Sequence, residues 1–112
     1  MPIFTPKNLA QGQLGAAAAG DLYTVPAATN AIVSLITLVN TDTVVRLVNL
    51  YIKTVAGVAR RIIPVNNSMG AGALVETPSN KTAYTLGPGD KLQGDADVAA
   101  KIDFTVSGVE QT

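Results

Sequence analysis

The chain contains neither cysteine nor histidine. Without cysteine there are no disulfides and no thiolate metal sites, so stability has to come from burial or association. Without histidine the usual general base near neutral pH is missing, along with the commonest transition-metal ligand. Tryptophan is absent too, and aromatic residues make up 4% of the chain. The interior must therefore be packed from Val, Ile, Leu and Ala. Charge is also scarce, at 14% of residues against about 25% in an ordinary soluble domain. Eight basic residues balance eight acidic ones, so no net field favours a phosphate backbone or an anionic membrane. No uninterrupted apolar run approaches the ~20 residues of a spanning helix. The opening Met1-Pro2-Ile3-Phe4-Thr5-Pro6-Lys7 lacks the basic start and apolar stretch of a signal peptide. The sequence thus predicts a soluble protein with no partner nucleic acid or membrane.

Apolar residues account for 47% of the 112 positions, enough for a single core. Few charges and many small apolar residues imply a surface partly covered by other copies or by another protein. Residues 1–20 differ from the rest. Pro2, Pro6, Gly12, Gly15 and Gly20 punctuate them, and Ile3, Phe4, Leu9 and Leu14 stand apart without a clean period. This pattern predicts an extended N-terminal arm whose apolar residues dock elsewhere.

Residues 21–112 read as short β-prone runs between turns, the spacing of an all-β sandwich. The clearest run is 98–107, where Val98, Ala100, Ile102, Phe104 and Val106 alternate with Ala99, Lys101, Asp103, Thr105 and Ser107. Residues 31–40 and 43–53 are apolar on both parities, so both faces need cover. The intervening Asn40-Thr41-Asp42 suggests a hairpin between them. Val44, Leu47, Val48, Tyr51 and Ile52 would also line a helix face, but the crowding of β-branched residues favours a strand. Further strands are expected at 22–25, 60–65, 73–77, 83–86 and 91–93, with turns at 78–81 and at Gly87-Pro88-Gly89-Asp90. About eight strands in about ninety residues fit a single antiparallel jelly roll.

Little in the sequence points to chemistry. Ser34, Ser68, Ser79 and Ser107 lie in no nucleophile-elbow pattern. Asp90, Asp95 and Asp97 would offer oxygen ligands to Ca²⁺, but they lack the alternating ligand loop and stand beside Gly87, Gly89 and Gly94, where acids cap turns. Neither Gly12-Gln13-Leu14-Gly15 nor Gly70-Ala71-Gly72 precedes the Lys-Ser/Thr of a phosphate loop. On a strand, Arg60 and Arg61 point to opposite faces and form no one-sided basic patch. Tyr23, Tyr51 and Tyr84 each sit in an apolar strand, where the ring can be buried and the hydroxyl can reach an edge. The expectation is a non-enzymatic protein with no cofactor and no small-molecule substrate.

In order along the chain, Tyr23-Thr24-Val25-Pro26-Ala27, Leu38-Val39-Asn40-Thr41, Arg60-Arg61-Ile62-Ile63-Pro64, Leu86-Gly87-Pro88-Gly89-Asp90-Lys91-Leu92 and Val106-Ser107-Gly108-Val109-Glu110 resemble small virion structural proteins of tailed bacteriophages. The resemblance covers about 90 residues from position 21, without the arm, and is greatest to jelly-roll capsid decoration or cement proteins. It implies a β-sandwich made in the host cytoplasm and carried on the outer capsid surface. There it would bind the major capsid protein as a homodimer or homotrimer and stabilise the shell. Similar sandwiches in necks, tails and fibres make a structural or receptor-binding module there the alternative. The contact residues expected are Ile3, Phe4, Leu9 and Leu14 as arm anchors, with Arg60 and Arg61 as orienting contacts.

Overall fold

The computed structural model describes residues 3–16, 18, 20–78 and 83–112. Ten strand segments occur among them: β1 (Phe4–Gln13), β2 (Gly20–Thr24), β3 (Asn30–Asn40), β4 (Arg46–Lys53), β5 (Arg60–Arg61), β6 (Asn67–Met69), β7 (Leu74–Thr77), β8 (Tyr84–Leu86), β9 (Lys91–Ala96) and β10 (Ile102–Gln111). All pairings are antiparallel. One sheet runs β1-β10-β3 and then β7 and β8, which both pair with β3; the other runs β2-β9-β4 and then β5 and β6, which both pair with β4. Because β7 with β8, and β5 with β6, each fill one broken position, the ten segments occupy eight places. Taken as eight places, the chain alternates between the two sheets except from β4 to β5 and β6, which stay in one sheet, and this is the jelly-roll arrangement.

The core lies between the sheets. It is built from Val33, Ile36 and Leu38 of β3, Val48 and Leu50 of β4, Leu92 of β9, and Ile102, Phe104 and Val106 of β10. Strand β3 is apolar on both parities for a reason the sequence pattern hides. Ser107 pairs with Leu35 and Gly108 with Val33, so Ser34 is the extra residue of a β-bulge. The bulge switches the inward parity from Ala31 and Val33 to Ile36 and Leu38.

Several expectations need correction. The proposed arm is, over Phe4–Gln13, the edge strand β1, laddered along the whole of β10. Leu9 is unpaired in that ladder, so the parity slips there, and most side chains of β1 remain exposed. A strand held by backbone bonds rather than burial leaves no hydrophobic period to read. The 31–40 and 43–53 pair is not a hairpin, since β3 and β4 lie in different sheets and the turn between them crosses the sandwich. Residues 98–101 are a turn, with Ala100 in the left-handed region at φ 62°. Only Ile102 onward is strand. The run expected at 60–65 shrinks to two residues, while β9 extends to Ala96. The expected turn positions 79–81 lie outside the described residues.

At the open side between β1 and β2, the Tyr23 hydroxyl donates to Glu110 Oε2, and Lys7 Nζ donates to Glu110 Oε1 at 2.9 Å. This latch joins the two sheets. The tyrosine hydroxyl first and Lys7 second hold the Glu110 carboxyl below its ordinary value of 4.5. A depressed carboxylate contributes stability above its unfolded pKa and loses it as pH falls through the folded one. Burial, followed by Glu110, raises Tyr23 above its ordinary 10.0, so that contribution is present below about pH 10 and fades above it. Asp21 beside Lys91 and Asp42 beside the Thr43 amide and Arg46 are also lowered. Stability is expected to fall as pH drops below about 4.5. Glu110→Gln should flatten part of that slope in urea titrations; an unchanged slope would show that the latch contributes nothing to it.

Candidate functional site: the two apolar poles

Among the described residues, nine large apolar side chains are exposed although the core is closed: Ile3, Phe4, Val44, Val45, Val55, Val58, Val65, Leu74 and Val98. Scattered single residues of this kind are ordinary, but these follow the topology. The molecule measures 49 × 26 × 23 Å, and except for Val65 all of them lie towards the two ends of the sandwich.

At one pole, Val44 and Val45 lie in the β3–β4 loop, Leu74 at the start of β7, and Val98 in the β9–β10 loop. Asn40, fully buried, holds these loops together. Its Nδ2 group donates to the carbonyls of Val44, Met69 and Gly70, each at 3.0 Å, and its Oδ1 accepts from Asp42 N. Its backbone joins Ala73 and Gly72. Arg46 donates to Asp42 Oδ2 at 2.8 Å and approaches Asp97 at 3.8 Å, while Asp97 bonds Leu47 through both backbone and side chain. Arg46, Asp42 and Asp97 are thus paired with one another at this pole, and the valines project from a braced rim.

At the opposite pole, Ile3 exchanges backbone bonds with Thr112, and Val55 rests against the Gly87–Asp90 turn. Asp90 closes that turn: its Oδ2 accepts from Gly87 N and its Oδ1 from Val55 N. The sequence-predicted acidic trio is therefore dispersed. Asp90 caps a turn, Asp95 accepts from Asn49 on the outer face of the second sheet, and Asp97 braces the far pole.

The predicted contact residues separate in the same way. Ile3 and Phe4 are 63% and 57% exposed. Leu9 is half-buried against the core at the β1 bulge. Leu14, expected as an anchor, is 0% exposed and belongs to the core; the β1 ladder carries it inward, where its amide bonds Ile102 O. Arg60 is exposed at the edge. Arg61 lies over the Tyr51 ring, 4.9 Å from its centroid, and donates to Asn49 Oδ1. Asn49 also bonds Asn66 through both its groups, sealing the gap between β5 and β6. Arg61 is exposed like Arg60, with its guanidinium held in place by these contacts. Sequence reasoning passed over Val44, Val45 and Val98 because each falls within a run that reads as strand. The nearby turn signal Asn40-Thr41-Asp42 was the clue that the chain leaves the sheet there.

No family model matches the chain, and no curated protein matches its sequence. A solved structure described as "Structure of infectious bursal disease virus Gx strain" is similar to it at a TM-score of 0.45 and 17% identity. The likeness covers 99% of this chain and 32% of that one, so the chain spans about a third of the length it matches.

Proposed function

We propose that the chain is a virion structural protein, a capsid decoration or cement module of a tailed bacteriophage that fastens the outer shell through its two ends. The observation that carries this reading is the placement of exposed apolar residues at both poles of a rod whose own core is complete. Their burial against the major capsid protein would contribute about 25 cal/mol per Å² before the costs of association. Four half-exposed side chains per pole make a small contact, well under the roughly 800 Å² per partner of a standard interface. One copy holds weakly, and a shell carrying many copies is stabilised through multivalency. The module performs no reaction in this reading.

Two variants test it. Val44→Ser/Val45→Ser/Val98→Ser removes three of the four apolar side chains of one pole and Ile3→Ser/Val55→Ser/Val58→Ser three of the four of the other. Each exposed substitution should alter folding stability by no more than about 0.5 kcal/mol. Each triple variant is expected to sediment with purified shells at least tenfold less than the original chain and to lose its protection of shells against heat. Retention of both variants at the original level would sink the proposal.

A further inference from the structure

Strand β1 forms one edge of the first sheet, with no strand on its far side among the described residues. Ile3 and Thr112 exchange both backbone bonds, so Thr5 and Lys7 face β10, while Phe4, Pro6 and Asn8 turn their backbone groups to the free edge. Pro6 therefore lacks its N–H where an incoming strand would need it, and the Leu9 bulge follows. The first half of the edge is blunted in the way sheets avoid pairing with other chains.

The second half carries no such protection. Leu14 N bonds Ile102 O, which sets Gly12 and Ala10 toward β10 and leaves the N–H and C=O of Gln11 and Gln13 pointing outward. Beside this stretch lies an open groove of about 370 Å³ lined by Gln11, Gly12, Gln13, Asp103, Phe104 and Thr105. Phe104 is buried inward, so the polar side chains on either side of it form the groove's outer-face rim. The Asp103 carboxylate accepts from Gln13 Nε2 at 3.0 Å and meets no cation among the described residues.

We propose that residues 11–13 accept an extended segment of a partner protein as an added antiparallel strand, with a Lys or Arg of that segment seated in the groove over Asp103. In strand addition, main-chain bonds supply affinity and pockets for alternate side chains supply selectivity. The added strand would lie two strand spacings from β10, about 9.6 Å, a gap that a basic side chain and an aspartate bridge together. Charge complementarity commits the occupant: in a two-fold symmetric pairing a second copy would place β1 itself there, and the only basic residue of β1, Lys7, stands beside Pro6 in the blunted half. The inference rests on the shell-contact reading and names the element the partner supplies.

The probe is the capped peptide Thr-Val-Lys-Val-Thr, titrated into the ¹⁵N-labelled chain, with Thr-Val-Glu-Val-Thr as its counterpart. The lysine peptide should shift amide resonances at Gln11, Gln13, Asp103 and Thr105 and bind at least fivefold tighter than the glutamate peptide. Gln11→Pro, which removes the outward N–H and an exposed side-chain bond from Asn8 but no bond to β10, should abolish the shifts, and Asp103→Asn should equalise the two peptides. Equal binding of both peptides, shifts elsewhere, or no shift at millimolar peptide would overturn the assignment. So would a concentration-dependent dimer of the free chain protecting the Gln11 and Gln13 amides, which would make the occupant a second copy. The polar serine variants leave this edge intact, so either idea can fail while the other stands.

Discussion

Replacing Asn40 by leucine is expected to lower the unfolding free energy by about 3 kcal/mol, although the two side chains are similar in size. The cost is not lost packing. Three carbonyls, those of Val44, Met69 and Gly70, share the Asn40 Nδ2 group as donor, and the Asp42 amide loses its acceptor. The bond to Met69 O is buried, and a buried carbonyl stripped of its donor carries its full desolvation penalty. Because the same residue braces the loops bearing Val44, Val45 and Leu74, the substitution should also weaken shell attachment. Urea unfolding at unchanged m-value would report the first effect. A loss under about 1 kcal/mol would show that water or the loops themselves replace these bonds.

Gly108→Ala should be at least as damaging, with an expected loss of more than about 3 kcal/mol. An added Cβ would stand 2.1 Å from the Ile32 carbonyl oxygen, 3.1 Å from its carbon and 3.0 Å from a Leu9 methyl. The obstruction is backbone of the neighbouring strand, at the site where the β3 bulge presses on β10, so no rotamer change relieves it. Gly15→Ala supplies the control, since a Cβ added there would meet nothing within 4 Å. That substitution should stay within about 0.5 kcal/mol. Equal melting temperatures for the two variants would mean that the bulge yields cheaply.

The alternation from Ile102 to Val106 declares its own inward face, and the Gly87–Asp90 turn carries its chemistry in its residues: Gly89 takes φ 81° and Asp90 caps Gly87. The count of eight strands agrees with the eight places only because two differences cancel: the sequence reading omits β1 and takes 73–77 and 83–86, which fill one place beside β3, as two. What escaped was whatever depends on partners distant in sequence. Strand β1 is exposed along most of its length, and its stability resides in a ladder to residues about a hundred positions away. Whether Asn40-Thr41-Asp42 closes a hairpin or passes between sheets depends on which strands flank β3, which no local pattern contains. The double apolar character of β3 reflects a parity switch at Ser34 rather than a strand covered equally on both faces.

The candidate site was legible only in kind. Sparse charge pointed to contact with other protein, and Ile3 and Phe4 are exposed at one pole as that reading needs. The valines of the other pole became visible once the loops were placed, and Leu14 turned out to belong to the core.

Cryo-electron microscopy of the intact particle tests the central claim most directly. The expected result is one rod-shaped density per copy, about 49 Å long, on the outer shell, with the Val44–Val45–Val98 end and the Ile3–Val55–Val58 end both in contact with capsid protein. Density in which these two ends face solvent while the flat sheet surfaces make the contacts would contradict it.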